Sequence, residues 1–284
     1  MNLFTPNLQF TLNAAGPTGP VSPGAFLKTY ANGDSLQTNV NYSMSLPSGN
    51  KLRHASFVFV TRPASGGLQY QPYITMYDQL GNITDTDCIG KVLDNGDDQS
   101  TQYQYGVFEA DLIPYQGRRA QTDADYGNWS MFATGFDGVT YQDFDIIKIN
   151  GLSPTSTGGS GNSTTGSINA EAETAHIHLG WPTGTFSGNN AFELAMVRIY
   201  NSPTARLTDA QAVQIWDHWA SNNAAYYENN GQALPSYNSG VEDYTTDLLA
   251  EWDFAKMPAG VVQTTAGSVG TVTGTLTGGA IVTV

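Results

Sequence analysis

The chain has 284 residues, a formal net charge of −14 and only 11 Lys and Arg residues. Holding a nucleic-acid backbone needs clustered cations to neutralise phosphates, so this charge argues against a nucleic-acid partner. With 31 Gly, 13 Pro and 13% charged residues, the composition also argues against a mainly helical protein and favours strands and turns under a neutral polar surface.

The first stretch, "MNLFTPNLQFTLNAAGPTGP", carries neither a basic segment nor an apolar core, so it is not expected to act as a secretory signal. No run approaches about 18 apolar residues, so no membrane insertion by a helix is expected. "GPTGPVSPG" (Gly16 to Gly24) holds two collagen-like triplets and then breaks register. Two triplets are too few for a triple helix. Residues 1–24 therefore read as an extended arm, either a linker rich in polyproline conformation or a segment that docks on a larger assembly. Residues 25–284 are expected to form a single sandwich.

Strand signals begin near Ala25. "LQTNVNYSMSL" (Leu36 to Leu46) alternates loosely, and "HASFVFVTRP" (His54 to Pro63) has the β-branched and aromatic run of a buried strand. "YQPYITMYDQLGN" (Tyr70 to Asn82) reads as a strand entering a turn, and "DNGDDQ" (Asp94 to Gln99) as a polar loop. Three further strand candidates are Tyr103 to Pro114, Trp129 to Phe136 and Phe144 to Gly151. "PTSTGGSGNSTTGS" (Pro154 to Ser167) is of low complexity and reads as a long surface loop. "AHIHLGW" (Ala175 to Trp181) follows, and the last two strand candidates are Leu248 to Phe254 and Gly270 to Val284. Many short strands between turn signals favour a large jelly-roll sandwich over a barrel or propeller.

"FELAMVRIYNSPTARLTDAQAVQIWDHW" (Phe192 to Trp219) reads as a strand, a loop and one helix. Thr208 precedes an apolar-periodic run with Gln211 three residues later, which predicts a reciprocal capping box. Asp209 places negative charge at the positive end of the helix dipole. Ala212, Ile215, Trp216 and Trp219 share one helical face, predicting packing on the core. In the strand, simple alternation puts Leu194 and Met196 on one face and Ala195, Val197 and Ile199 on the other. Both faces are apolar, so the strand is expected to be central.

These residues carry a resemblance. Leu179-Gly180, Phe186-Ser187-Gly188, Glu193 to Asn201 and Leu207 to Gln211 are similar to the closing signature of concanavalin A-like, laminin G-like domains. "WSMFATGFDG" (Trp129 to Gly138) and "IIKING" (Ile146 to Gly151) resemble a hairpin of the same domains. "LLAEWDF" (Leu248 to Phe254) resembles their first strand and "GTLTGG" (Gly274 to Gly279) the strand after it. In the family these two lie near the N-terminus. Here either the order is permuted or the C-terminus begins a further element. The expectation is that these strands, within residues 248–284, close the same sheet of the sandwich. The resemblance implies an all-β jelly-roll sandwich with one short helix. It fixes packing and capping residues and leaves function open.

The fold family includes glycosidases with paired carboxylates on one strand, about 5–5.5 Å apart in retaining enzymes. The nearest match here is Asp143-Phe144-Asp145-Ile146-Ile147-Lys148, with Asp143 in the place of the nucleophilic Glu and Lys148 in the place of the acid. A lysine cannot serve as that carboxylic acid. Glu251-Trp252-Asp253-Phe254-Ala255-Lys256 fails in the same way. His176 and His178 alternate on a strand, but no third ligand at metal-site spacing follows. Cys88, the single cysteine, has no histidine signal and can form no intrachain disulfide. Asp85, Asp87, Asp94, Asp97 and Asp98 offer oxygen ligands for calcium without EF-hand spacing; calcium is the one cofactor the sequence admits. Trp181 and Tyr141 suit sugar binding, by stacking on ring faces beside polar edges.

The chain combines the texture of an extracellular adhesive domain with no secretory signal and no disulfide. Bacteriophage virion proteins meet both conditions, being made in the host cytoplasm and released by lysis. The expectation is a non-enzymatic virion structural protein, a capsid decoration, fibre or spike. Its partners would be other virion proteins, further copies of itself and surface glycans. The alternatives are a free carbohydrate-binding lectin module and a divergent β-glucanase-like glycosidase.

Overall fold

The structure is a computed structural model. It describes residues 25–28, 35–38, 54–63, 70–77, 88–93, 103–108, 114–116, 129–135, 145–151, 153, 176–180, 192–222, 238, 240–257, 263–268, 273–277 and 280–283. Among these residues the protein is mostly strand, with one α-helix. In chain order the strands are β1 (Ala25–Lys28), β2 (Ser35–Thr38), β3 (Ala55–Pro63), β4 (Tyr70–Tyr77), β5 (Cys88–Leu93), β6 (Tyr103–Phe108) and β7 (Pro114–Gln116). They continue with β8 (Ser130–Gly135), β9 (Asp145–Ile149), β10 (His176–Gly180) and β11 (Phe192–Asn201). After the helix α1 (Asp209–Asn222) come β12 (Leu248–Asp253), β13 (Gly274–Thr277) and β14 (Ala280–Thr283).

The strands form two seven-stranded sheets, and every named pairing is antiparallel. One sheet runs β14-β1-β11-β3-β8-β9, with β12 also paired to β11. The other runs β13-β2-β10-β4-β5-β6-β7. Tyr73 of β4 packs against Phe59 of β3 at 5.8 Å and Phe132 of β8 at 6.0 Å between ring centroids, so these rings join the two sheets. The face of the first sheet that carries Phe59 is thus the inner one.

Directly opposed residues in a ladder share a face, so register assigns the rest. Val197 lies opposite Phe59 and Trp252, which puts all three on the inner face. Met196 lies opposite Val60, and Tyr200 opposite Ser56, on the outer face. There α1 lies down: Ala212, Ile215, Trp216 and Trp219 are buried in one cluster with Val58, Val60, Met131, Ala133 and Met196. The helical stripe is core, as its spacing predicts. Burying Ile215 alone contributes roughly 1.5–3 kcal/mol, whereas helix propensity varies by only about 0.7 kcal/mol per ordinary residue. Packing therefore holds the helix here.

β11 is central and buried on both faces, but not with the expected facing. The register with β3 shifts between Leu194 and Met196, leaving Ala195 as an extra residue. A bulge of one residue reverses the alternation beyond it. Leu194, opposite Thr61, therefore shares the inner face with Val197 and Ile199, while Met196 faces the helix.

The C-terminal run also departs from expectation. It is two strands, not one, and they part company: β13 pairs with β2 in one sheet and β14 with β1 in the other. β5 is not among the strand candidates, and β7 begins where the Tyr103 to Pro114 candidate ends.

Candidate functional site

The loop from β11 into α1 is fixed where it enters the helix. Leu207 N donates to the buried Ser56 Oγ at 2.9 Å. The capping box then closes: Gln211 N donates to Thr208 Oγ1 at 3.3 Å, and Thr208 N donates to Gln211 Oε1 at 2.8 Å. Lys148 Nζ reaches Asp209 at 2.8 Å and Ser153 Oγ at 2.8 Å. Its side chain is only 9% exposed. Lys148 is thus a tether between β9 and the start of α1.

One polar stripe of α1 grips a following segment. Gln211 Nε2 donates to Tyr244 Oη at 2.7 Å, and Gln214 Nε2 donates to Glu242 O at 2.9 Å. His218 Nδ1 lies 3.0 Å from Val241 O. Residues three and four apart stand in line on a helix, so 211, 214 and 218 hold residues 241–244 as a strap running antiparallel to α1.

Beneath the strap lies a buried charge clamp. Arg198 on β11 is 2% exposed. Its Nη1 and Nη2 donate to the two carboxylate oxygens of Asp243 at 2.6 Å each, and its Nε donates to Glu251 Oε2 at 2.6 Å. Nη1 also reaches Tyr200 Oη at 3.3 Å, and that hydroxyl donates to Tyr244 O at 2.9 Å. Thr265 Oγ1 donates to Glu251 Oε1 at 2.8 Å, and Lys256 Nζ pairs with Asp253 at 2.8 Å. Burial opposes the charge on Arg198, but Asp243, Tyr200 and Glu251 outweigh it and hold the guanidinium above its ordinary range. Burial likewise raises the Asp243 carboxyl, yet the Arg198 fork brings it below the usual carboxylate range. Burial pushes the Tyr200 phenol up to about 12.

Beside the clamp opens a cleft of about 270 Å³. Its walls come from the β11–α1 loop (Ser202, Thr204, Arg206), the start of α1, and the end of the strap (Tyr244, Thr246, Asp247), with His54 alongside. Leu248 N donates to Thr245 O at 3.2 Å, so residues 245–248 form a tight turn, and Asp247 has a left-handed φ of 60°. Tyr200 and Tyr244 pack with ring centroids 6.0 Å apart. Burial and the nearby Asp247 carboxylate raise the Tyr244 phenol.

No family model matches this chain, and no curated protein matches it. Among solved structures it is similar to a mutant of Trypanosoma rangeli sialidase displaying trans-sialidase activity. That match has 13% identity and a TM-score of 0.36, over 56% of this chain and 22% of that one. It is also similar to Trypanosoma rangeli sialidase in complex with 2,3-difluorosialic acid, a covalent intermediate. There the identity is 14% and the TM-score 0.36, over 69% of this chain and 32% of that one. The chain thus spans about a fifth to a third of the length of these matches. A likeness of this size carries neither fold nor activity across.

Several residues picked from sequence lie outside the described residues: Trp181, Tyr141, Asp143, the five loop aspartates and the arm 1–24. His176 and His178 both lie on β10, and Cys88 opens β5. Among the described residues no group of three or more His, Cys, Asp or Glu is placed to hold a metal ion, and no helix is long and apolar enough to cross a membrane. Sequence reading missed the clamp and the cleft. The one available signal was Arg198 itself, a charge between Val197 and Ile199 in a strand apolar on both faces.

Proposed function

We propose that this chain is a non-enzymatic structural protein of a bacteriophage virion. In this reading it is a concanavalin A-like, laminin G-like jelly roll that serves as capsid decoration, fibre or spike and adheres to surface glycans. Chain connectivity supports the jelly-roll assignment, since β1 and β2, β3 and β4, and β10 and β11 each step from one sheet to the other.

The observation that carries the non-enzymatic reading is where the charges go. Glu251 and Asp253 have the two-residue spacing of a glycosidase pair, yet Glu251 is bound to Arg198 and Thr265, and Asp253 to Lys256. Lys148 tethers the helix. These groups lock the fold, whereas an acid–nucleophile pair must face a substrate.

Two measurements test the proposal. The chain should appear in gradient-purified phage particles from its host, and its absence there would remove the virion assignment. Incubation with β-glucans should release no reducing sugar. Release that disappears in Asp143→Asn or Asp145→Asn would make the chain a glycosidase. A second reading, a lectin module outside any virion, is favoured by the polar cleft beside Tyr244, and calcium-dependent binding on a glycan array without incorporation into particles would select it.

A further inference from the structure

We infer that the cleft between the β11–α1 loop, the start of α1 and the 245–248 turn binds one neutral sugar residue of a glycan, with Asp247 and Arg206 as its polar contacts and Tyr244 as its wall. The ligand class rests on the glycan-adhesion reading above; the location does not.

Size is the first constraint. At about 270 Å³ the cleft falls just below the usual range of small-molecule pockets, which starts at roughly 300 Å³. It accommodates one ring of a longer chain, with the remainder in solvent. Charge is the second. Arg206 and Asp247 both line the cleft, so an anionic ligand meets the carboxylate and a cationic one meets the guanidinium. A neutral polyhydroxyl ligand uses both, donating hydroxyl protons to the carboxylate and accepting from the guanidinium. The Ser202 and Thr204 hydroxyls, 3.5 Å apart, add groups that both donate and accept.

Rigidity is the third constraint. Tyr244 is held by its hydroxyl on Gln211, by its carbonyl on Tyr200 and by its ring against Tyr200. An aromatic wall that is already immobile loses little freedom when a sugar packs on it. The fourth observation is Asp247. Its φ of 60° suits Gly or Asn, and a side chain there costs of order 1 kcal/mol. The fold uses its backbone, whose carbonyl accepts from Asn201 N at 2.9 Å. The turn does not need a carboxylate, which nevertheless stands exposed at the edge of the cleft.

The test uses the full chain with an array of neutral and sialylated oligosaccharides, then titration of the methyl glycosides of glucose, galactose and mannose followed by NMR. Millimolar binding is expected, weakened about tenfold or more by Asp247→Asn, Asp247→Gly and Arg206→Ala. Asp247→Gly relaxes the turn, so its melting temperature should equal or exceed that of the parent, which separates lost binding from lost folding. A neutral glycan bound equally by all three variants overturns the site and leaves the adhesion reading standing. Binding of sialylated glycans alone overturns the neutral class. Binding of no glycan overturns the site and the adhesion reading together, while incorporation into particles is judged separately.

Discussion

Arg198 sits with its whole guanidinium in the interior, and what it does depends on two carboxylates rather than on its own charge. Removing one partner from a buried ion cluster leaves the others desolvated and uncompensated. Arg198→Met should therefore destabilise the protein by about 3–5 kcal/mol in urea unfolding, and adding Glu251→Leu should restore part of the loss. The acid and alkaline limits follow from the same groups. Asp243 titrates below its ordinary range, so its contribution is present above about pH 4, the unfolded value, and fades as pH falls through the lower folded one. Burial depresses Lys256, but Asp253 and Glu251 raise it more, so its contribution is full below about pH 10 and is lost as pH rises through the folded value. Tyr200, raised to about 12, acts in the same direction, since the unfolded chain ionises near pH 10 first. Melting temperature against pH should be flat between about pH 5 and 9 and fall on both sides; a decline within that range would contradict the clamp. The sequence announces that Arg198 needs an anion, because a strand apolar on both faces cannot leave a cation bare. It does not say which one. Asp243 is 45 residues away along the chain, in a passage whose composition is polar and without period.

At the scale of elements, α1 was legible and the sheet around it less so. The capping box and the apolar stripe are local patterns, and local patterns survive in a sequence. Thr208→Ala should cost about 1 kcal/mol, seen as a lower midpoint in thermal unfolding with the fold intact. Gly151→Ala is expected to cost more. Gly151 sits in the turn that follows β9 at φ +74°, and a Cβ there would stand 2.6 Å from Trp216 Cδ1. Backbone strain and a collision with an indole fixed in the core act together, so about 2–4 kcal/mol is expected. Asn150, also at positive φ, is locked by Met131 N donating to its Oδ1 at 2.8 Å, so the whole turn is shaped to admit that tryptophan. By contrast, nothing local marks Ala195 as a bulge. The extra residue is set by how β11 meets β3, a pairing more than a hundred positions apart. Alternation read along one strand therefore predicts its burial correctly and its facing wrongly.

At the scale of the whole molecule, the last strands bracket the first. β14 pairs with β1 and β13 with β2, while β12 continues the line of β1 along β11. The C-terminal run is thus divided between both sheets, which periodicity could not reveal because both halves are short and alternate alike. This division makes the C-terminus part of the framework. Trp252 and Ala250 are fully buried on the inner face, and Glu251 neutralises Arg198. A chain ending at Asp247 would bare the edge of β11 that pairs with β12, leave β1 and β2 each with one neighbour instead of two and strand the Arg198 charge against one carboxylate. Each loss alone amounts to several kcal/mol, and a domain has only about 5–15 kcal/mol to lose. The truncated chain should show no cooperative transition on heating, and its circular dichroism should lack the near-ultraviolet bands of packed tryptophan. A cooperative melt at a merely lowered temperature would mean that β12, β13 and β14 are an addition to a sandwich complete without them, and that Asp243 alone suffices to hold Arg198.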